Sequence, residues 1–356
     1  MSPNDLLTWY DACSRDLPWR KNQDPYGVWV SEIMLQQTRV ETVIPYYQRF
    51  LERFPDVRTL AEAPIDDVLS LWSGLGYYRR ARQLHRAAEM VLESGGLFPQ
   101  TAEGLLELPG IGPYTAAAVA SIAFDEVVPV MDGNVERVLS RVLALSEDPR
   151  RSTVRRTLLE AAKGLLDQER PGDSNQALME LGATVCTPRN PRCSVCPIAG
   201  QCRAHEMGRE ESFPVAKVRR TPERHRRRVA VVAEGERILL FRRGEDSELL
   251  AGTWELPWAT ADGRSVEESE VELAQRYGGL WRLEPQEARV RHSITFRNLE
   301  LDVHRATVKS EGVVADGPEA GWFSREEISS LPTSSQVTKV LAVAGPGMPE
   351  QQSLWS

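Results

Sequence analysis

Four of the five cysteines fall within 17 residues, spaced Cys186-x6-Cys193-x2-Cys196-x5-Cys202. Thiols this dense tie a short loop around whatever joins them. In a cytosolic chain, clustered cysteines point to a metal centre more than to disulfides. Zinc is the first alternative, but its usual pattern is two close pairs parted by a longer segment. Here there is one close pair, with the other two ligands strung on either side. That wider wrap suits a [4Fe–4S] cubane. A centre whose iron positions are all filled by protein is not expected to be hydrolytic. Arg189, Arg192 and Arg203 within or beside the loop hint at a DNA-facing role. Cys13 stands alone and reads as a buried or indifferent thiol.

Composition narrows the remainder. With 356 residues there is room for two or three domains. No apolar run of about 18 residues occurs, so no membrane span is expected. The start, MSPNDLLTWY, lacks a basic segment followed by an apolar one, and a cytoplasmic protein is expected. The net charge of −8 argues against nucleic-acid binding by bulk electrostatics. It leaves room for a local basic footprint. Residues 219–228 hold six arginines against one glutamate, and residues 79–86 hold four arginines and no acid. The bland reading of both runs is a solvated surface.

Residues 1–208 carry apolar side chains at helical spacing, as in Trp29, Ile33, Val40, Val43, Ile44 and Tyr47. Pro and Gly punctuate the pattern at 54–55, 95–96, 109–110 and 171–172. An all-α domain is predicted there, followed by a basic linker over 209–228. Residues 229–345 change character. Residues 229–243 predict two strands around a Gly turn, 293–308 a further strand or pair, and helices are expected near 265–277 and 334–343. The second domain is therefore α+β. A flexible tail is expected over 346–356.

The stretch Leu108-Pro-Gly-Ile-Gly-Pro-Tyr-Thr115 predicts a helix–hairpin–helix. Thr101 is the expected N-cap of the first helix, and Pro113 suits the first turn of the second. Gly110 and Gly112 would let backbone N–H groups approach a phosphate, a grip that needs no net positive charge. A simple turn is an equal alternative. Two acids stand out nearby. Glu32 is flanked by Ile33, Met34 and Leu35; desolvation there would raise its pKa and suit it to proton donation. A solvated helical glutamate is the ordinary alternative. Asp132 lies in an apolar stretch before a predicted helix, and the ordinary alternative is an N-cap. One protonated and one ionised carboxylate form the division of labour used to break glycosidic bonds.

Taken together, LPGIGPYTA, the MDGNV aspartate and the cysteine loop resemble the helix–hairpin–helix DNA glycosylase superfamily. SEIMLQQT, GLGYYRRARQLH and LPWR narrow the resemblance to the adenine DNA glycosylases, the MutY family. It covers essentially the whole chain. It implies a [4Fe–4S] cluster on Cys186, Cys193, Cys196 and Cys202. It also implies excision of adenine mispaired with 8-oxoguanine or guanine in double-stranded DNA, by a monomer of bacterial, nucleoid-associated type. On this resemblance Glu32 protonates the flipped adenine and later helps activate water. Asp132 stabilises the sugar cation or briefly bonds to it, and Tyr114 and Asn134 support the two acids. Trp19, Arg20 and Gln176 line the adenine side. Gln37, Thr38, Leu75 and Tyr77 meet the opposite base and prop the duplex open.

Tyr114 separates two reaction types. In the related endonuclease III branch a lysine at this place forms a Schiff base and cuts the strand. A phenol cannot, so hydrolysis with weak or no lyase action is implied. The C-terminal part resembles the family's Nudix-like module, most clearly at Gly252-Thr-Trp-Glu-Leu-Pro257. Residues 266–279 lack the full Arg-Glu-x-x-Glu-Glu pattern that holds metal in a working Nudix hydrolase. The 8-oxoguanine-reading turn would fall at His292 and Ile294-Thr295-Phe296, with Phe296 replacing a second histidine. Glu136 stands where some relatives have lysine. The competing expectations are an endonuclease III-like enzyme for oxidised pyrimidines, a non-catalytic DNA-damage sensor and a Nudix phosphohydrolase.

Overall fold

The computed structural model describes residues 3–215, 221–244, 247, 250–294, 296–309 and 319–344. The helical spacing read along the first two hundred residues becomes a run of helices broken at the Pro and Gly positions. They are α1 (Pro3–Cys13), α2 (Pro25–Leu35), α3 (Val40–Arg53), α4 (Val57–Ala61), α5 (Ile65–Leu71) and α6 (Arg79–Glu93). After them come α7 (Ala102–Leu105), α8 (Pro113–Phe124), α9 (Gly133–Val142), α10 (Ser152–Lys163), α11 (Pro171–Thr184) and α12 (Arg203–Glu206). The strands follow: β1 (Glu223–Val231), β2 (Ala233–Glu234), β3 (Arg237–Arg242), β4 (Trp254–Glu255) and β5 (Trp258–Thr260). Then come α13 (Val266–Tyr277), β6 (Leu280–Ile294), β7 (Arg297–Lys309), β8 (Ala320–Phe323), α14 (Arg325–Ser330) and α15 (Ser335–Leu341). None of these helices is long and apolar enough to cross a membrane.

The chain forms two compact units: Met1–Ala63 with Arg82–Val218, and Pro64–Ala81 with Arg219–Ser356. In the first, α2 is buried on all sides from Tyr26 to Met34, as a helix apolar all round must be. Asp24 caps it by accepting from Gly27 N at 2.9 Å, and Pro25 opens its first turn. α8 is rich in alanine, which lets α2 and α11 approach its backbone closely. α9 packs on α11. These four helices surround the cleft described below. The predicted cap holds: Thr101 accepts from Gly104 N at 3.2 Å.

In the second unit one sheet runs β5-β1-β7-β6, with β1 and β7 parallel and the other pairs antiparallel. The other sheet runs β2-β3-β4, with β8 on β3. Alternation along β1 splits its side chains between two cores. Val229 and Val231 join Leu301, Val303 and Trp254 in one; Ala230, with Val232 just past the strand, joins Leu239, Phe241 and Trp281 in the other.

Two boundaries differ from the sequence expectation. Residues 64–81 were placed in the helical domain but belong to the second unit. Ser70 Oγ donates to Ser330 O at 2.7 Å, Tyr78 Oη to Thr333 O at 2.5 Å, and Arg242 Nη2 to Asp66 Oδ1 at 2.6 Å. The expected linker 209–228 is strand from Glu223 onward. Residues 216–220 lie outside the described residues; Arg226 pairs with Asp302 at 2.6 Å and Arg227 stacks 3.5 Å from the Trp258 ring centroid, partners that a linear reading cannot see. The expected flexible tail, 346–356, lies outside the described residues. Cys13 is exposed rather than buried.

Candidate active site and metal loop

A cleft of about 770 Å³ opens among α2, the Gly hairpin before α8, the N-terminus of α9, and α11. Its size is that of a small-molecule site. Glu32 lies on its wall with 6% exposure. Tyr114 Oη donates to Glu32 Oε2 at 2.8 Å and rests 3.1 Å from Met179 Sδ. Burial pushes the Glu32 carboxyl up to about 7. The Tyr114 hydrogen bond opposes that rise, the charge of Asp132 adds to it, and the charge of Arg20 opposes it. The apolar flank read from sequence is therefore a desolvated pocket, not a solvated helix face.

Asp132 is the N-cap of α9, so the ordinary expectation for it is correct and coexists with a place in the cleft. Its Oδ1 accepts from Val135 N at 2.7 Å and its Oδ2 from Asn134 Nδ2 at 2.9 Å. Burial raises this carboxyl too, and those bonds hold the rise back. The preceding segment is stapled by Asn175, fully buried, whose amide accepts from Val130 N and donates to Val128 O and Ser121 Oγ. Asn134 in turn accepts from Arg137 Nη2 at 2.9 Å. Arg137 also donates to Gly182 O at 2.7 Å and Cys186 O at 2.8 Å. Gly182 has no room for a side chain: a Cβ there would sit 2.6 Å from Asn134 Cβ.

The other expected residues divide into three groups. Trp19, Arg20, Gln176, Gln37, Thr38, Gly110 and Gly112 all line the cleft. Trp19 is buried edge-on to Tyr47, and Arg20 Nε donates to Gln176 Oε1 at 3.1 Å. Gln37 is exposed and takes a left-handed φ of 57°. Gly110 has φ 78°, and a Cβ there would meet Gln83 Cβ at 2.6 Å, so glycine is required twice over. Gly112 is the N-cap of α8, whose first N–H groups lack helical partners. Leu75 and Tyr77 belong to the second unit, the first buried and the second exposed at φ 52°. His292 is half-buried there, and its Nδ1 has no partner among the described residues. Thr295 lies outside the described residues.

Cys186, Cys193, Cys196 and Cys202 form no disulfide and line one small pocket. Burial pushes the Cys193 and Cys196 thiols up to about 11, so only a cationic centre would hold them as thiolates at neutral pH. Arg141, 2% exposed, spreads its guanidinium over the carbonyls of Phe213, Cys186, Thr187 and Pro188. It also points Nη1 at Cys186 Sγ, 3.2 Å away, a donor suited to a metal-bound thiolate. His205 and Glu210 approach Cys193 but pair with each other at 2.6 Å. The all-sulfur set fits an iron–sulfur cluster.

The sequence reading passed over Gln36, Arg15, Arg137, Arg141 and Glu180. Gln36 donates to Thr115 Oγ1 at 3.3 Å; Arg15 and Glu180 pair at 2.7 Å. Gln36 falls within SEIMLQQT without being marked out there, the other four carry no local motif, and only the fold unites them.

Comparison with known proteins agrees with this layout. Residues 30–163 match the family described as HhH-GPD superfamily base excision DNA repair protein. Residues 186–202 match the iron–sulfur binding domain of endonuclease III, and 228–343 a NUDIX domain. The cysteine loop is thus an iron–sulfur site, and the class is that of base-excision DNA glycosylases. The adenine DNA glycosylases of Rattus norvegicus and Homo sapiens are 39% and 38% identical to this chain. Each match spans 95% of it, and 77% and 73% of the relatives. The chain belongs to the adenine DNA glycosylase family. A solved thermostable thymine-DNA glycosylase is 30% identical with a TM-score of 0.53, over 58% of this chain and 95% of that one.

Proposed function

We propose that the cleft removes adenine paired with 8-oxoguanine or guanine in duplex DNA, by hydrolysis of the N-glycosidic bond. One observation carries this: a nearly buried Glu32, protonated up to about pH 7, lines the same cleft as Asp132. The bond is inaccessible in stacked DNA, so the nucleotide must first be flipped out. Glu32 then donates its proton to a ring nitrogen of the base. The C1′–N bond breaks and its electron pair leaves with the adenine. The carboxylate of Asp132, fixed by Val135 and Asn134, faces the resulting sugar cation. Water attacks C1′ and returns a proton to Glu32.

Trp19, Arg20 and Gln176 hold the adenine. Gln37, Thr38, Leu75 and Tyr77 serve the opposite strand, and His292 with Thr295 reads the oxidised base. Gly110 and Gly112 bring the N–H groups of α8 to a phosphate. The four-cysteine loop, loaded with [4Fe–4S], acts as scaffold for DNA contact. The enzyme works as a monomer in the cytoplasm, at the nucleoid. Tyr114 carries a phenol rather than an amine, so no Schiff base can form there, and burial and the neighbouring Glu32 raise its pKa. The product is an abasic site with little strand cleavage.

The test is single-turnover excision on duplexes holding one adenine opposite 8-oxoguanine or guanine, developed with and without alkali. Product is expected only after alkaline cleavage. Release of thymine glycol with adenine untouched would overturn the assignment, and alkali-independent nicking would overturn the hydrolytic mechanism.

A further inference from the structure

Two arginines of the cleft share one carboxylate. The Glu180 side chain, on α11, has 0% exposure. Its Oε1 accepts from Arg15 Nε at 2.7 Å, and its Oε2 from Arg15 Nη2 and Arg20 Nη2, both at 2.9 Å. The remaining nitrogens of Arg20 are also engaged, Nε with Gln176 Oε1 at 3.1 Å and Nη1 with Arg15 O at 3.2 Å. A guanidinium only donates, so each of these partners must be an acceptor, and here all are oxygens. Glu180 is held below the usual carboxylate range: its burial acts to raise it, but the Arg15 hydrogen bond and the Arg20 charge outweigh that. It is therefore a fixed negative charge.

The titratable groups lining the cleft are Arg15, Arg20, Glu32, Tyr114, Asp132, Arg155 and Glu180. Among those acting on Glu32, Tyr114 and Arg20 favour its ionised form, whereas Asp132 opposes it. Released from Glu180, the Arg20 guanidinium would share the cleft with the Glu32 carboxyl, whose ionised form its charge favours, and an ion-paired carboxylate has no proton to give. We propose that Glu180 is a positioning residue: it holds Arg20 on the α11 wall of the cleft, away from an ion pair with Glu32. This rests on the assignment of Glu32 as the acid. It gives Glu180 a role without contact with the substrate.

The experiment is the pH dependence of single-turnover excision in the full-length, cluster-loaded protein. The wild-type rate falls on the alkaline side as Glu32 loses its proton. In Glu180→Gln the amide keeps the shape but not the charge, and that limb moves to lower pH by about one unit or more. This holds whatever rate is lost on the plateau. Glu180→Asp brings the limb back toward wild type. A uniform rate loss with the limb unmoved would show a purely structural role and overturn the proposal. If Glu180→Gln does not fold, the double variant Arg20→Gln/Glu180→Gln is compared with Arg20→Gln instead: with no guanidinium to release, the two limbs coincide, and a double-variant limb at lower pH would overturn the positioning role. Glu32→Gln separates the two ideas. If it still excises, the assignment of the acid fails; if it is inactive while the limb stays put in the Glu180 variant, only the positioning role fails.

Discussion

Carboxylates are put to opposite uses in the two units. Glu32, in the helical unit, accepts a hydrogen bond from the Tyr114 phenol, and burial leaves it protonated near neutrality. In the sheet unit, α13 offers four glutamates at the place where a working Nudix hydrolase would hold metal, but three of them, Glu268, Glu270 and Glu272, are already engaged. Glu268 closes a capping box with Ser265. Glu270 accepts from Leu283 N and Arg282, and Glu272 from Thr260 N, Thr260 Oγ1 and Arg264. A metal there would have to displace strand-holding bonds. What makes a carboxylate chemically available is the number of N–H and guanidinium donors around it, not its presence on a helix.

The most forceful way to break this contrast is Glu32→Gln. Excision is expected to fall about 10³-fold, the scale of a lost general acid, with DNA binding retained in a gel-shift assay. Unchanged turnover would place Glu32 alongside the structural acids. The same variant should gain stability. Folding raises the Glu32 carboxyl from 4.5 to about 7, so the folded state keeps a proton that the unfolded state releases. Wild-type stability therefore declines between those pH values. The loss, roughly 3 kcal/mol at most, is complete above pH 7 and absent below about 4.5. Thermal melts of Glu32→Gln should exceed wild type at pH 8 and converge with it at pH 4.

A smaller effect is the wild-type pH profile. Excision should drop about tenfold per unit above pH 7, following protonated Glu32; a flat profile to pH 9 would remove the proton-donor role. Smallest is Glu272→Gln. It should lower stability by about 1 kcal/mol, the value of a hydrogen bond, in a denaturant titration. Neither it nor wild type should hydrolyse nucleoside triphosphates with magnesium. Metal-dependent hydrolysis lost in the variant would erase the contrast between the units.

Local signals made much of this legible. Thr101, Pro113 and Asp132 sit at the helix starts that their side chains favour, and four thiols in one loop needed no distant partner. Residues 64–81 were misassigned because nothing in Ser70 or Tyr78 advertises a bond to a residue some 260 positions on. Arg224 to Arg228 looked like linker because arginine runs usually face solvent; a neighbouring strand carrying Asp302 changes that. Glu180 was invisible for the same reason, since its partners lie 160 and 165 residues away. Contacts within a few residues can be read from spacing, whereas those closed by the fold cannot.

Gly182 carries a consequence of another kind. Even one methyl there would strike Asn134, and Asn134 steadies Asp132. The position is therefore a mutational bottleneck, although it bears no functional group of its own. In a population of variants, alanine at 182 should be depleted as severely as a change to either acid, because heredity at that site preserves an empty volume rather than a side chain.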